Sequence, residues 1–521
     1  MTTPPSPLLT SLLIGHDDAP ALHDGDRVFS RAGLRLGAAH TVRGLQQLGL
    51  RRGDAVAVWL PNGAAWLQLL LGAAQLGVLV VPVSTRYKAP EIAHLLRVSR
   101  ARLLIFATRF LDQASAPVAQ ALLSDVPTLE QLLAVDDPFG LIEFGPAGPA
   151  GPFPLPDDPG QPTDLLCCFS TSGTTGQPKL AAHDQASITR HAQQVAGALD
   201  IRPGDAMLCA LPLFGVFGFM TALAALAGGA ACVLMPVFDA AAAAGLVAQH
   251  AISHAVGADA MFDPILKVAG ADLGSLRSIV MADFAGLSLQ VAQQADALRI
   301  GCSGTYGSSE VFSLVSLQAW GATVEQRALA GGRPVDPLIS IRVVDPQTGQ
   351  PVADGTPGEL QLRGPNVLAQ YLNNPEATAQ AMTTDGWFRS GDLATTQGQH
   401  FHYLARMGDS LRLRGYLVSP AEIEQALMRH PAVALAQVVG VAVPGVGDQA
   451  VAFVVLSEAD PGEAELRAFC LQNMASYKVP QRVRVLDAFP TIDGPNGVKI
   501  QKRVLRQMAS DLMAAAGGSM A

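Results

Sequence analysis

The sequence predicts an α/β protein: a large N-terminal domain of layered α/β subdomains plus a small β subdomain, followed by a small α+β C-terminal domain. Short apolar runs, DAVAVWL, VLVVPV, LLCCF, ACVLM and SIVM, alternate with helical patterns over the first two-thirds of the chain. Buried, mostly parallel strands joined by crossover helices leave that signature. Composition changes near Gly331–Pro334, where GGRPVDPLISIRVVDPQTGQPVADGTPGELQLRG alternates short strands with turn dipeptides. It changes again after Arg406, where SPAEIEQALMRHP reads as an amphipathic helix with Ser419 as N-cap and Pro420 at its first position, followed by the strand ALAQVVGVAV. These shifts divide the chain into 1–405, with the β subdomain at about 331–405, a joining segment at 406–408, and 409–521.

At 521 residues the chain has room for roughly three folding units of about 150 residues each. Charged residues make up 15% and hydrophobic ones 49%, which excludes a disordered or fibrous chain. The net charge is −9 and the basic residues are scattered, so a grip on nucleic-acid phosphates is not expected. An anionic ligand must therefore be neutralised by local groups.

Within the layered region, DAVAVWL reads as a strand, Gly63–Gly77 has helical apolar spacing, and VLVVPV reads as the next strand. The stretch Ala210–Phe238 contains no charge and exceeds the roughly 20 apolar residues of a membrane span. Pro212 opens it, Gly228 and Gly229 split it and Pro236 ends it, so it is expected to form a buried helix of about four turns and the short strand ACVLM. No Lys/Arg cluster or aromatic belt flanks it. The N-terminus lacks a basic region, and its apolar stretch is too short for a signal peptide, which sets the expectation of a cytoplasmic protein. Cys167, Cys168, Cys209, Cys232, Cys302 and Cys470 show no C-x-x-C spacing and read as small core residues.

The strongest chemical signal follows the LLCCF strand: STSGTTGQPK, Ser170 to Lys179. Gly173 and Gly176 let the backbone turn its N–H groups inward, hydroxyls from Thr171, Ser172, Thr174 and Thr175 add donors, and Lys179 supplies a charge. This is a phosphate cradle, although the Walker spacing is absent. The less favoured reading of the segment taken alone is a Ser/Thr/Gly turn between two elements.

The loop has company. Arg52-Gly-Asp54 with VAVWLPN, Gly77 to Pro82, Thr305-Tyr-Gly-Ser-Ser-Glu310, Gly386 to Leu393 (GWFRSGDL), Arg406 to Glu424, and Pro495-Asn-Gly-Val-Lys499-Ile follow in order along nearly the whole chain. In this the sequence resembles the adenylate-forming (AMP-binding) superfamily of acyl-CoA synthetases, nonribosomal adenylation domains and luciferases. The resemblance implies a role for each matched residue. Tyr306, with Gly307 beside it, would stack on adenine. Ser309 would hydrogen-bond the phosphates, Glu310 would hold Mg²⁺, and Asp392 would accept both ribose hydroxyls. Arg406 would contact the nucleotide, and Lys499 would bridge the substrate carboxylate and the α-phosphate. The catalytic set implied is Lys499, Arg406 and Glu310, with ATP, Mg²⁺ and coenzyme A as cofactor and co-substrates. The acid becomes an acyl-adenylate with loss of pyrophosphate. The C-terminal domain, mobile in this family, then swings about the segment after Arg406 and admits a thiol.

Four positions depart from the family pattern. Gly408 stands at the hinge, where Asp or Lys is usual. Val498 intervenes before Lys499, and Leu180 replaces a Gly after Lys179. In the implied acyl pocket of Phe214, Gly215, Phe217, Asp283, Phe284 and Thr305, Gly215 replaces a frequent His, and Asp283 with Phe284 replaces a small wall. An apolar acid is thereby favoured: aromatic, alicyclic or medium-chain aliphatic. Asp283 reads as a turn or cap residue, with pairing to a substrate amine as the alternative. The leading expectation is an acid–CoA ligase. Two alternatives stand beside it: an adenylating enzyme that loads a carrier-protein phosphopantetheine acting in trans, since no carrier domain follows Lys499, and a non-catalytic nucleotide-binding scaffold. A homodimer is left open.

Overall fold

A computed structural model describes residues 8–15, 17–111, 113–142, 157–171, 178–284, 287–346, 348–407, 411–414, 416–418, 420–443, 447–457, 459–494 and 497–517. Two large sheets form the N-terminal domain. The seven-stranded one runs Gln370–Tyr371, Lys179–Asp184, Leu165–Thr171, Leu79–Pro82, Ala55–Trp59, Leu103–Ala107, Gln131–Val135. Its last five strands are parallel, while Lys179–Asp184 folds back antiparallel on Leu165–Thr171 with Lys179 opposite Thr171.

The thirteen-stranded sheet has a parallel half, in spatial order Gly301–Tyr306, Ser278–Ala282, His254–Ala258, Ala206–Cys209, Ala231–Leu234 and Pro20–Asp24. Gly301–Tyr306 is its pivot, parallel to Ser278–Ala282 on one side and antiparallel to Ser316–Leu317 on the other. Beyond that point lie Gly331–Pro334, His400–Arg406, Phe388–Gln397, Gly358–Arg363 and Ser340–Val344, all antiparallel. The expected β subdomain thus has its own apolar cluster around Leu360, Leu362 and Phe401, yet its strands continue the larger sheet.

Strands buried on both faces explain the unbroken apolar runs. Val56 and Val58 point into the core between the sheets, whereas Ala55, Ala57 and Trp59 point into the core under helix Ala89–Ser99. Helices Arg31–Gln47, Ala64–Leu76, Gln185–Ala198 and Val216–Gly228 fill the central layer, and further helices cover each outer face.

The uncharged stretch resolves into helix Val216–Gly228, a left-handed Gly229 at φ +88°, and strand Ala231–Leu234. Residues Gly218 to Leu226 of that helix are all buried, and a helix apolar all round belongs inside a protein. Among the described residues no helix is long and apolar enough to cross a membrane. All six cysteines are buried free thiols. Leu180, the departure after Lys179, is 1% exposed and fills the core beneath the loop's exit.

The small C-terminal domain packs helices Pro420–Leu427, Glu463–Asn473 and Lys502–Gly517 on the three-stranded sheet Val433–Val443, Gly447–Leu456 and Arg482–Val485. Its helix begins at Pro420 as expected, while Ser419 lies outside the described residues.

Candidate active site

In open parallel sheets, ligands bind at the carboxyl ends of strands where the topology reverses. Here those ends are Thr171, from which the candidate phosphate loop departs, and Tyr306 on the pivot strand. The intervening Ser172, Gly173, Thr174, Thr175 and Gly176 lie outside the described residues. Thr171 is buried, and its Oγ1 has no hydrogen-bond partner among the described residues, so a ligand acceptor at the loop would find a donor there.

Tyr371 joins the loop's exit to the segment after the pivot strand. Its edge strand pairs with Lys179–Asp184, Lys179 Nζ stands 4.2 Å from its ring centroid, and its hydroxyl donates to Glu310 Oε1 at 3.0 Å. Lys179 is half-buried; burial lowers its pKa and the Glu310 carboxylate raises it. Tyr306 donates through its hydroxyl to Asp392 Oδ2 at 2.6 Å, and its ring meets Phe401 edge-on at 5.3 Å. Asp392 is 3% exposed and stands opposite Arg406 in the strand register. Nucleotide-site candidates from distant segments therefore converge. The side chains of Arg406 and Lys499, and the whole of Gly408, lie outside the described residues; the Lys499 backbone pairs with Ile492 in a hairpin.

The segment carrying Ser309 and Glu310 is held in an unusual conformation. Phe312, Ser313 and Leu314 adopt φ of 63°, 58° and 43° in succession, which side chains disfavour. Gly307 passes this turn so closely that a Cβ would lie 2.5 Å from Ser313 Cα. Two buried histidines hold the turn: His183 Nε2 lies 2.7 Å from Ser309 O, and His191 Nε2 lies 2.8 Å from Ser313 O. A carbonyl only accepts, so each ring carries its proton on Nε2. Leu368 N–H and the Asn366 side chain bond Glu310 O and Val311 O, and the Phe312 ring packs edge-on to Phe169 and Phe219. Phe219 belongs to this aromatic core.

Burial pushes His183 down to about 3 and His191 down to about 4 from 6.5. Unfolded histidines protonate below 6.5 while these stay neutral, so stability is present above that pH and falls as pH drops towards 3–4. At pH 5 the pair should cost about 4 kcal/mol relative to pH 8. Urea unfolding from pH 8 to 5 should show this loss, and His191→Gln should flatten the slope by one proton; an unchanged slope would contradict the assignment.

The acyl-pocket candidates sit on the same edge of the large sheet. Phe214 and Phe217 are half-buried around Gly215, the N-cap of helix Val216–Gly228, just after strand Ala206–Cys209. Asp283 is exposed and Phe284 half-buried after strand Ser278–Ala282, and Thr305 Oγ1 donates to Ser316 O at 2.7 Å on the neighbouring strand. Buried Asp259 holds the Phe284 turn, accepting the N–H groups of Phe284 at 3.1 Å and Leu287 at 2.7 Å. Asn62, 3% exposed, pins the Phe214 loop by donating to Leu211 O at 2.8 Å and accepting from Leu213 N at 2.7 Å.

A Cβ at Gly215 would meet only Pro212 O, at 3.5 Å, whereas one at Gly218 would collide with Pro212 O at 2.3 Å. Gly218→Ala should therefore destabilise the fold by about 3 kcal/mol in chemical denaturation, with Gly215→Ala within about 0.5 kcal/mol of the parent.

Sequence reasoning missed Tyr371, His183, His191 and Asp259. Only Asn62 left a usable signal, as the polar residue closing the matched run VAVWLPN.

Comparison with known proteins places the chain in a family. The AMP-binding enzyme family model matches residues 14–372, and the AMP-binding enzyme C-terminal domain model matches residues 422–493. The chain belongs to the AMP-binding enzyme family, in its adenylate-forming, acyl-CoA synthetase type. It is 32% identical over 479 residues to a feruloyl-CoA synthase of Amycolatopsis sp, spanning 91% of this chain and 93% of that one. It is 27% identical over 514 residues to 4-coumarate-CoA ligase 1 of Narcissus pseudonarcissus, spanning 95% and 92%. Its fold matches that of the amide bond synthetase McbA from Marinactinospora thermotolerans with a TM-score of 0.83 at 24% identity, over 96% of this chain and 99% of the other.

Proposed function

We propose that the protein is an ATP-dependent acid–CoA ligase: it adenylates a hydrophobic carboxylic acid, aromatic, alicyclic or medium-chain aliphatic, releases pyrophosphate, and transfers the acyl group to the thiol of coenzyme A. The observation that carries this reading is that Tyr371 holds Lys179 and Glu310 while Tyr306, in the same apolar cluster as Tyr371, holds Asp392. Relatives named feruloyl-CoA synthase and 4-coumarate-CoA ligase support an acid substrate and a CoA acceptor.

In the first step a carboxylate oxygen bonds to the α-phosphorus as the bond to the pyrophosphate oxygen breaks. Two anions meet, so positive charge must be local on a chain of net charge −9. Lys179 would neutralise the leaving phosphates, Lys499 would sit between the carboxylate and the α-phosphate, and Arg406, opposite Asp392, would contact the nucleotide. Asp392 would accept the ribose hydroxyls, Tyr306 with Gly307 would line the adenine, and Ser309 would hydrogen-bond phosphate. Among the described residues no group of three His, Cys, Asp or Glu could hold a metal alone. Glu310, a single half-buried carboxylate held by Tyr371, fits a Mg²⁺ that takes its other ligands from phosphate oxygens, and such an ion would offset charge on those oxygens.

In the second step the CoA sulfur attacks the acyl carbon and AMP leaves. The chain would divide at 405/406 and 408/409, with Gly408 as hinge. On the acyl side, Phe214, Phe217, Phe284 and Thr305 would line the acid around Gly215, with Asp283 at the rim. Gly215→His should leave the melting temperature unchanged and shift preference towards smaller acids; an unaltered acid profile would remove Gly215 from the pocket.

The test of the whole reading is pyrophosphate release with ATP, Mg²⁺ and a panel of acids, with and without CoA. Acid-dependent release and CoA-dependent thioester are expected. Silence with every acid, or transfer only to a carrier protein, would overturn it.

A further inference from the structure

Lys478, in the C-terminal domain, is 4% exposed, and its Nζ lies 2.6 Å from Glu422 Oε1 of the same domain and 2.8 Å from Glu91 Oε1 of the N-terminal domain. The ammonium also stands 4.8 Å over the Tyr87 ring. A buried cation is tolerated only when paired, and here half of its pairing comes from across the domain boundary. Glu91 is already engaged at its other oxygen, where Oε2 accepts the Lys88 N–H at 2.9 Å and caps helix Ala89–Ser99.

That helix also touches both flanks of the phosphate segment. The Tyr87 hydroxyl lies beside the Ser170 side chain, and His94 Nε2 donates to Pro178 O at 2.9 Å. Tyr87, Glu91 and His94 are spaced by four and three residues, which puts Glu91 and His94 on one helical face with Tyr87 just ahead of it. One face therefore meets Ser170 where the segment begins, Pro178 where it ends, and the C-terminal domain in between.

We propose that Lys478 is a positioning residue: its pairing with Glu91 docks the C-terminal domain on helix Ala89–Ser99, and the helix passes that docking to both flanks of the phosphate segment through Tyr87 and His94. The link to catalysis rests on the phosphate role proposed for Lys179 and its neighbours, whereas the link to the flanks rests on the contacts alone.

The experiment compares Lys478→Met, Glu91→Gln, the double variant and Lys478→Arg in the full chain. Gln at 91 keeps the helix cap, and Met keeps most of the buried volume. Hydrogen exchange without substrates should quicken in peptides covering 84–99 and 165–184 for both single variants, and the double variant should be no faster than either. In acid-dependent pyrophosphate release the KM for ATP should rise about tenfold in both, as coupling of that size implies, while kcat changes by less than about threefold and Lys478→Arg retains the parent KM. Unchanged exchange at 165–184, single effects that multiply in the double variant, or a fall in melting temperature with KM unmoved would each overturn the proposal. Because exchange is read without ATP or acid, a parent inactive with every acid would defeat the ligase reading and leave this test standing.

Discussion

Replacing Lys499 by alanine should lower acid-dependent pyrophosphate release by about 10²–10³-fold, the usual cost of removing one aligned donor from a developing charge. The same variant should transfer a preformed acyl-adenylate to CoA at close to the parent rate, because thioester formation involves no collision of carboxylate with phosphate. Single-turnover assays of the two half-reactions separate these outcomes. Equal loss of both steps would contradict the role, and loss of neither would remove it. The hairpin Thr491–Gly494 and Gly497–Ile500 that carries the residue has its own strand pairing, so folding is expected to survive the truncation.

The second large effect is expected at Asp392. The carboxylate is buried and takes the Tyr306 hydroxyl at 2.6 Å, and Asp392 is the register partner of Arg406 in the strand pair. Asp392→Asn keeps the shape and an acceptor for Tyr306 but removes the charge. Hydrogen bonds to charged groups contribute about 1.5–3 kcal/mol, so the KM for ATP should rise roughly 10- to 100-fold. The KM for the acid should stay near the parent value. A parallel rise in both constants would point to a collapsed site and not to lost ribose recognition.

The layered strands and the candidate loop are legible in the sequence for local reasons. Parallel strands covered on both faces read as unbroken apolar runs, as in Val56, Ala57 and Val58, and the glycines around Ala210–Phe238 end a helix where they stand. Order within the sheets is not legible in this way, because hydrogen bonding between Gly331–Pro334 and His400–Arg406 leaves no mark in either segment. The site divides similarly. Lys179, Tyr306, Glu310 and Asp392 announce themselves by motif. Tyr371 lies on a two-residue edge strand, and His183 and His191 act on carbonyls 126 and 122 positions away. The left-handed turn at Phe312–Leu314 is hidden for another reason: it contains neither Gly nor Asn, the residues that normally reveal such a backbone, and it persists because surrounding contacts impose it.

The strand Pro20–Asp24 has a bearing on how the chain is made. Leu22 pairs with Cys232, a partner 210 positions later, and at about 5–20 residues per second a ribosome needs roughly 10–40 s to supply it. Until then the strand has only the short hairpin partner Arg27–Ser30, and its far edge stays open to any passing β-segment. A strand near one end of the sheet order is thus completed only once Ala231–Leu234 has been made, and its pairing edge is exposed for that whole interval.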